Sequence, residues 1–391
     1  MKRALLSCVA GVGVLLVSCE RGENNDQAAD DGRTATEDQV VEHYAKLVSA
    51  TYGDALSRAR AMQADIETFL SGPTAELLEK ARDSWTAARI PYLQTEVFRF
   101  YEGPIDDEDG PEGLLNAWPM DEAYIDYVEG NASAGVINNV TAFPKIDVQL
   151  IESLNEKDGE ANISCGYHAI EFLLWGQDLS ADGPGARAHT DYTTAENAER
   201  RSEYLRAVTG FLVAKLEEVE AEWAPGKDNY RSEFLKLPSR TAVEKIMTGM
   251  SMLSGFEMAS ERLNVAYDTK AQEDEHSCFS DTTHNDMIYD LKGIANVWSG
   301  SYGDLSGPGL EVVAGQAAPE LAISLGAKIK ASVEAAEAIP VPFDQAILGE
   351  DDAPGRRAIL ATIESLEDQA ELLVALGREM GFGVPISEGE E

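Results

Sequence analysis

The sequence predicts an all-α protein made of two packed helical-bundle halves. Three observations predict it. Apolar residues recur at a period close to 3.6 through most of the chain, no stretch shows the sustained alternation of a strand, and Gly/Pro-rich breaks divide the helical runs into two groups of similar number. Short hairpins inside the loops remain compatible with this pattern.

The elements follow in chain order. Lys2 and Arg3 form a short basic start, Ala4 to Val17 is apolar, and small residues lead into Cys19. This order matches a secretory signal, and the apolar run is shorter than the roughly 20 residues that a spanning helix needs. A cysteine at that point fits a lipoprotein signal, with residues 1–18 removed and Cys19 lipidated as the new N-terminus. An ordinary signal peptide with a chance cysteine is the simpler alternative. Residues 19–36 are polar and cannot bury enough surface to offset their ordering entropy, so they read as a flexible tether.

Helical spacing then runs from Asp38 to Ser71, stops at Gly72-Pro73, and resumes from Thr74 to about Val97, where Pro91 should kink or divide the run. Shorter pieces are expected at Tyr124–Val128 and Phe143–Leu154. Cys165–Trp175 is apolar enough for a buried helix. Longer helices are expected at Thr193–Trp223, Ser239–Asp268, Asn285–Ser299, Ala317–Ala338 and Ala353–Met380. The pattern breaks between Trp223 and Ser239, so one half spans residues 37–225 and the other 238–385, without a repeat period to establish duplication.

The formal net charge is −39, and it becomes more negative when Lys2 and Arg3 leave with the signal. Such a surface repels nucleic acid and anionic headgroups and attracts cations, so no nucleic-acid partner is expected and the membrane is met through the lipid anchor alone. After Cys8 and Cys19 are accounted for, the body keeps Cys165 and Cys278. In an oxidising compartment these can form one disulfide or stay as two buried thiols.

Two places concentrate chemistry. In Gly166-Tyr-His168-Ala-Ile-Glu171, the histidine and glutamate lie three apart on one helix face amid apolar residues. Imidazole plus carboxylate suits iron, zinc and similar cations, and it also suits a buried hydrogen-bonded pair with no metal. The second place, Glu275 to Asp286, holds His276, Cys278, Asp281 and His284, and Ser280 and Asp281 are good helix caps. A disulfide from Cys165 to Cys278 would draw His276 towards His168. Asp106 to Asp109 reads as a solvated acidic loop, and His43 and His189 as unremarkable. No GxSxG elbow, phosphate loop, CxxC or HExxH occurs, and HxxEH fails because Phe172 follows Glu171.

The segment GYHAIEFLLWG resembles the GxHxxE motif of the imelysin family. The stretch Ala87 to Asp106, with Arg89, Glu96 and Arg99, resembles the family's early block, and His276 to Asp286 resembles its late one. The resemblance covers roughly residues 38–380. It implies two helical halves with the motif near their interface, and export or surface attachment in iron acquisition with envelope iron-transport partners. It also implies a site on Gly166, His168 and Glu171, with Arg89, Glu96, Arg99, His276, Asp281 and His284 in support. The preferred reading is a protein that binds iron, or another divalent cation such as zinc, free or chelated, through His168, Glu171, His276, Asp281 and His284. The alternatives are a metallopeptidase, with Glu171 as ligand or general base, and a partner-binding structural lipoprotein.

Overall fold

The computed structural model describes residues 35–180 and 183–387; the expected signal, Cys19 and the tether up to residue 34 lie outside them. Helix α1 (Ala35–Ser71) buries the stripe that its period dictates, including Tyr44, Val48, Tyr52, Met62, Ile66 and Phe69. Thr74 accepts the Leu77 N–H and starts α2 (Ala75–Leu93), which folds back along α1. The chain passes through Pro91 and leaves the helix at Leu93; a single 3-10 turn, Glu96–Phe98, follows, so the predicted run is divided there.

Four short helices come next: α3 (Glu112–Leu115), α4 (Glu122–Ile125), α5 (Gly135–Asn138) and α6 (Val148–Leu154). Every residue of α7 (Gly166–Trp175) is buried. Burying Ile170, Phe172, Leu173 and Leu174 contributes about 1.5–3 kcal/mol each, which offsets the cost of carrying His168 and Glu171 inside. Helix α8 (Ala198–Trp223) packs on α1 and α7. It starts later than the spacing predicts because residues 193–195 are held in a turn on the Thr190 carbonyl and Asn197 is left-handed, with φ 59°.

The expected break contains α9 (Tyr230–Phe234), opened by a capping box between Asn229 and Ser232, and Arg231 donates to the Ala45 carbonyl of α1. Helix α10 (Ser239–Met252) continues without interruption as a π-helix, Leu253–Asn264, and then as α11 (Val265–Thr269). Helix α12 (Thr283–Ser299) leads to a two-stranded antiparallel hairpin, β1 (Ser301–Tyr302) and β2 (Leu305–Ser306), inside the Gly/Pro-rich stretch. The chain ends with α13 (Leu310–Ala317), α14 (Pro319–Glu337), α15 (Phe343–Ala346) and α16 (Pro354–Met380). Helix α13 was not expected; the non-helical Ala318 separates it from α14, where Pro319 takes the first helical position.

The fold is all-α, as predicted. One continuous apolar core runs through the described residues, with α1 touching α2 and α8 as well as α10 and α13, and α2 touching α12. Gly249 lets α10 approach the early block closely, since a Cβ there would stand 2.5 Å from the Val97 carbonyl oxygen.

The π-helix explains the ionic network beside that contact. Its winding places residues five apart on one face, so Glu257 and Arg262 pair at 2.7 Å. Arg262 also binds Glu96 at 2.6 Å and Asp290 at 2.7 Å, and Arg99 binds Glu96 at 2.8 Å. Burial pushes the Glu96 carboxyl up, but the Arg99 and Arg262 guanidiniums overcome it and hold it down at about 2. Removing one partner of a buried pair leaves uncompensated charge, so Arg262→Met should lower the unfolding free energy in urea by about 3–5 kcal/mol. A loss below about 1 kcal/mol would mean that the network is dispensable.

Candidate functional site: two buried imidazole–carboxylate pairs

Helix α7 starts at Gly166, with φ +86°, and a Cβ there would stand 2.7 Å from the Leu115 carbonyl oxygen, so glycine is required twice over. The next turn brings His168 Nδ1 within 2.9 Å of Glu171 Oε2. Glu171 Oε1 accepts two bonds from the late block, from the Ser280 N–H at 2.9 Å and its hydroxyl at 2.7 Å. That clamp, with the Gly185 N–H bound to the Phe279 carbonyl at 2.9 Å, fastens the late block onto α7.

The late block supplies a second pair. His276 Nδ1 donates to Asp286 Oδ2 at 2.8 Å, and the Ser277 hydroxyl donates to the same oxygen at 2.5 Å. Asp286 Oδ1 faces Arg89 of α2 at 3.3 Å. Arg89 in turn donates to Asn116 and lies 5.1 Å from the Tyr167 ring centre, with Trp85 and Tyr92 beside it. The two imidazoles meet edge to face, 4.7 Å between centres, and Trp118 lies against His276. Both histidines and both carboxylates are buried.

Burial pushes the His168 imidazole well below its ordinary pKa, and His276 and Arg89 push the same way. His276 is pushed down by burial, then by Arg262 and Arg89. Burial raises the Glu171 carboxyl to about 8, against the opposing Ser280 bonds. Near neutral pH the His168–Glu171 pair therefore holds a carboxyl proton in the bond to Nδ1, with the ring proton on Nε2. Loss of one proton leaves Nδ1–H on the carboxylate and a lone pair on Nε2. That Nε2 is buried with no hydrogen-bond partner.

The structure does not gather the five ligands expected from the sequence. Among the described residues no group of three or more His, Cys, Asp or Glu side chains is placed to hold a metal ion. Asp281 adopts a left-handed turn, φ 55°, and its strongest neighbours are Asp178 and Asp344. His284 sits on the first turn of α12, half-buried, with Nδ1 unpartnered and Asp286 as its nearest charge. Cys165 and Cys278 are separate buried thiols, so His276 reaches His168 without the disulfide. Cys165 lies against Asn155 at the start of α7, whereas Cys278 lines a cavity beyond its other end. Glu96 and Arg99 belong to the ionic network and act on His276 through space. Asp106 closes its own turn by accepting the Phe100 and Gly103 N–H groups.

A helical protein organised around two abutting buried imidazole–carboxylate pairs is the class that fold and site define. The imelysin (Peptidase_M75) family model matches residues 48–373, and the chain belongs to that family. It is 25% identical over 349 residues to iron-regulated protein A of Synechococcus elongatus, covering 87% of this chain and 83% of that protein. Two solved structures share the fold. An iron-regulated protein A precursor from Parabacteroides distasonis has a TM-score of 0.69 at 19% identity, covering 89% of this chain and 97% of its own. An imelysin-like protein from Psychrobacter arcticus has 0.63 at 13%, covering 90% and 97%.

The family's iron-linked members raise the question of whether these residues fit a metal. A ligating imidazole passes its far N–H to a carboxylate, which fixes the tautomer and aims the other nitrogen. His276 satisfies that condition, and His168 does so once the pair with Glu171 has lost its proton. Glu171 does not add a free oxygen, because Oε2 is on His168 and Oε1 on Ser280. The fit is thus to nitrogen donors with orienting carboxylates, and the remaining coordination would come from water or from a chelator. Sequence reasoning missed Ser280, Asp286, Arg262 and Asp290 as parts of this arrangement. Asp286 stood inside the late block, but nothing in the spacing marks it as the partner of His276.

The pH dependence follows from the lowered imidazoles. Unfolded histidines take up protons near pH 6.5 while the buried rings refuse them, so the contribution of these two rings to stability is held above about 6.5 and is lost as pH drops below it. In NMR titrations the His168 and His276 ring signals should keep their neutral positions well below pH 6.5. Midpoints near 6.5 would contradict the burial argument.

Proposed function

We propose that this chain is an exported, envelope-anchored lipoprotein that binds iron or another divalent cation, free or chelated, and serves iron acquisition. The observation that carries the proposal is the unpartnered His168 Nε2, aimed by the Glu171 pair and set against a second carboxylate-oriented imidazole. Neutral imidazole suits iron and zinc alike. Similarity to an iron-regulated protein supports iron, and the order of residues 1–19, ending at Cys19, supports export and anchoring. No described helix is long and apolar enough to cross a membrane. The strongly acidic chain would concentrate cations near the site, and envelope iron-transport proteins are the partners such a role requires.

A metallopeptidase would need three protein ligands and an open position. The raised Glu171 carboxyl is the one feature that favours general acid–base work, and both its oxygens are already committed.

Untagged protein titrated with ferrous iron or zinc should bind through His168, and His168→Ala should lose that binding while keeping its helical circular dichroism. Asp286→Asn should weaken binding by about 10–100-fold through misorientation of His276. Calorimetry at pH 7 in buffers of different ionisation enthalpy should show about one proton released per metal bound, because the ion replaces the proton on Nε2. Unchanged stoichiometry in His168→Ala would remove the assignment.

A further inference from the structure

We infer that Trp118 is the gate of the imidazole site, and that the acidic cavity beside it is the vestibule from which a hydrated divalent cation enters. What passes the gate rests on the cation-binding reading above; the gate itself rests on geometry. The site is sealed, so anything that reaches it must displace a neighbour. His276 is 2% exposed and His168 1%, and Glu171, Ser277, Ser280 and Asp286 around them are buried as well. Arg89, which meets Asp286, is enclosed by the buried rings of Trp85, Tyr92 and Tyr167, so no opening lies there. The Trp118 ring meets His276 edge to face, 5.6 Å between centres. Of the hydrogen-bond and ring partners of the two imidazoles among the described residues, Trp118 alone is only half-buried.

The chain around Trp118 is anchored at both ends and untied between them. Asn116 fastens one end, its side-chain oxygen accepting from Arg89. Asp121 fastens the other, with its N–H on the Ala161 carbonyl at 2.7 Å and its carboxylate on the Ala123 N–H at 2.9 Å. Among the described residues, 117–120 make no backbone hydrogen bond, and the Trp118 indole N–H makes none either. Packing alone keeps the ring on His276, so lifting it breaks contacts but no hydrogen bond. The rest of the cover is tied down, Glu171 by Ser280 and Asp286 by Arg89.

Open space adjoins this contact. Met120, two residues after Trp118, and Cys278, two residues after His276, both line a cavity of about 410 Å³. Its wall carries Glu122, Asp178 and Glu273 and no lysine or arginine, so it gathers cations and turns anions away. An ion with six waters needs about 180 Å³, at roughly 30 Å³ for each water, so it fits there with its shell. The carboxylates of the wall steer the ion and need not bind it. Lifting the Trp118 ring then lets the ion shed water and meet His276, whose ring centre is 4.7 Å from that of His168.

Carbethoxylation of the full chain by diethyl pyrocarbonate, mapped by peptide mass spectrometry, tests the gate without any metal. His276 should react slowly in the parent. Trp118→Ala should raise its rate at least about tenfold, and Trp118→Phe, which keeps a ring, should fall between. His43, buried on α1 against the Gly300 carbonyl, is the control and should stay slow in all three, with helical circular dichroism unchanged. Stopped-flow zinc binding then reads what passes. Association and dissociation should both quicken about tenfold in Trp118→Ala, whereas Glu122→Gln with Glu273→Gln should slow association and leave dissociation alone. A faster His276 with no zinc binding by the parent would support the gate and remove the cation reading. An unchanged His276 rate in Trp118→Ala, or a rise shared equally by His43, would overturn the inference. Zinc rates unmoved in Trp118→Ala, with zinc still bound, would place the entrance elsewhere and overturn it too.

Discussion

The ion pair between Arg89 and Asp286 joins residues 197 positions apart, and the site depends on it. Asp286 cannot hold His276 and Ser277 in place unless its own charge is met, and among the described residues Arg89 is the cation that meets it directly. Arg89 is itself kept inside by the rings of Trp85, Tyr92 and Tyr167, so the aromatic packing of α2 on α7 fixes a side chain of the late block. From the other direction, Ser280 spans from the late block to Glu171 and fixes the second imidazole. Two clamps of opposite direction thus bring together residues that the chain places far apart.

The electrostatics follow from the same closure. Sealing both imidazoles from water holds them neutral, and the nearby guanidiniums of Arg89 and Arg262 reinforce that state. Neutral rings with Nδ1 held by a carboxylate are oriented to offer Nε2 to an ion, His168 once the proton it shares with Glu171 has left, and an open loop would add a rotamer search to that cost. The stability for this arrangement comes from the apolar faces of α1, α7 and α8 and from the Glu96–Arg262–Asp290 network, which ties the early block to the π-helix and α12.

Much of the fold was legible because helical periodicity is a local property. The stripe of α1, the burial of α7 and the stop at Gly72-Pro73 needed no knowledge of distant residues. The boundaries that differ have local causes that spacing does not encode, such as the left-handed Asn197 and the non-helical Ala318. The π-winding from Leu253 to Asn264 was invisible because the apolar pattern was read at 3.6 residues per turn, and the Glu257–Arg262 pair went with it. For the site, residue type identified His168, Glu171 and His276 but could not assign their partners. The spacing singled out Asp281 as a ligand, whereas in the structure Asp281 stands in a left-handed turn and Asp286 holds His276.

The central claim is that His168 Nε2 is a metal donor held ready by the two pairs. Anomalous diffraction from crystals soaked with zinc or ferrous iron, with data on both sides of the metal edge, tests it most directly. The account predicts a peak within about 2.0–2.2 Å of His168 Nε2, with Glu171 still bonded to Ser280. Clear density for the imidazoles with no anomalous peak at that nitrogen would contradict it.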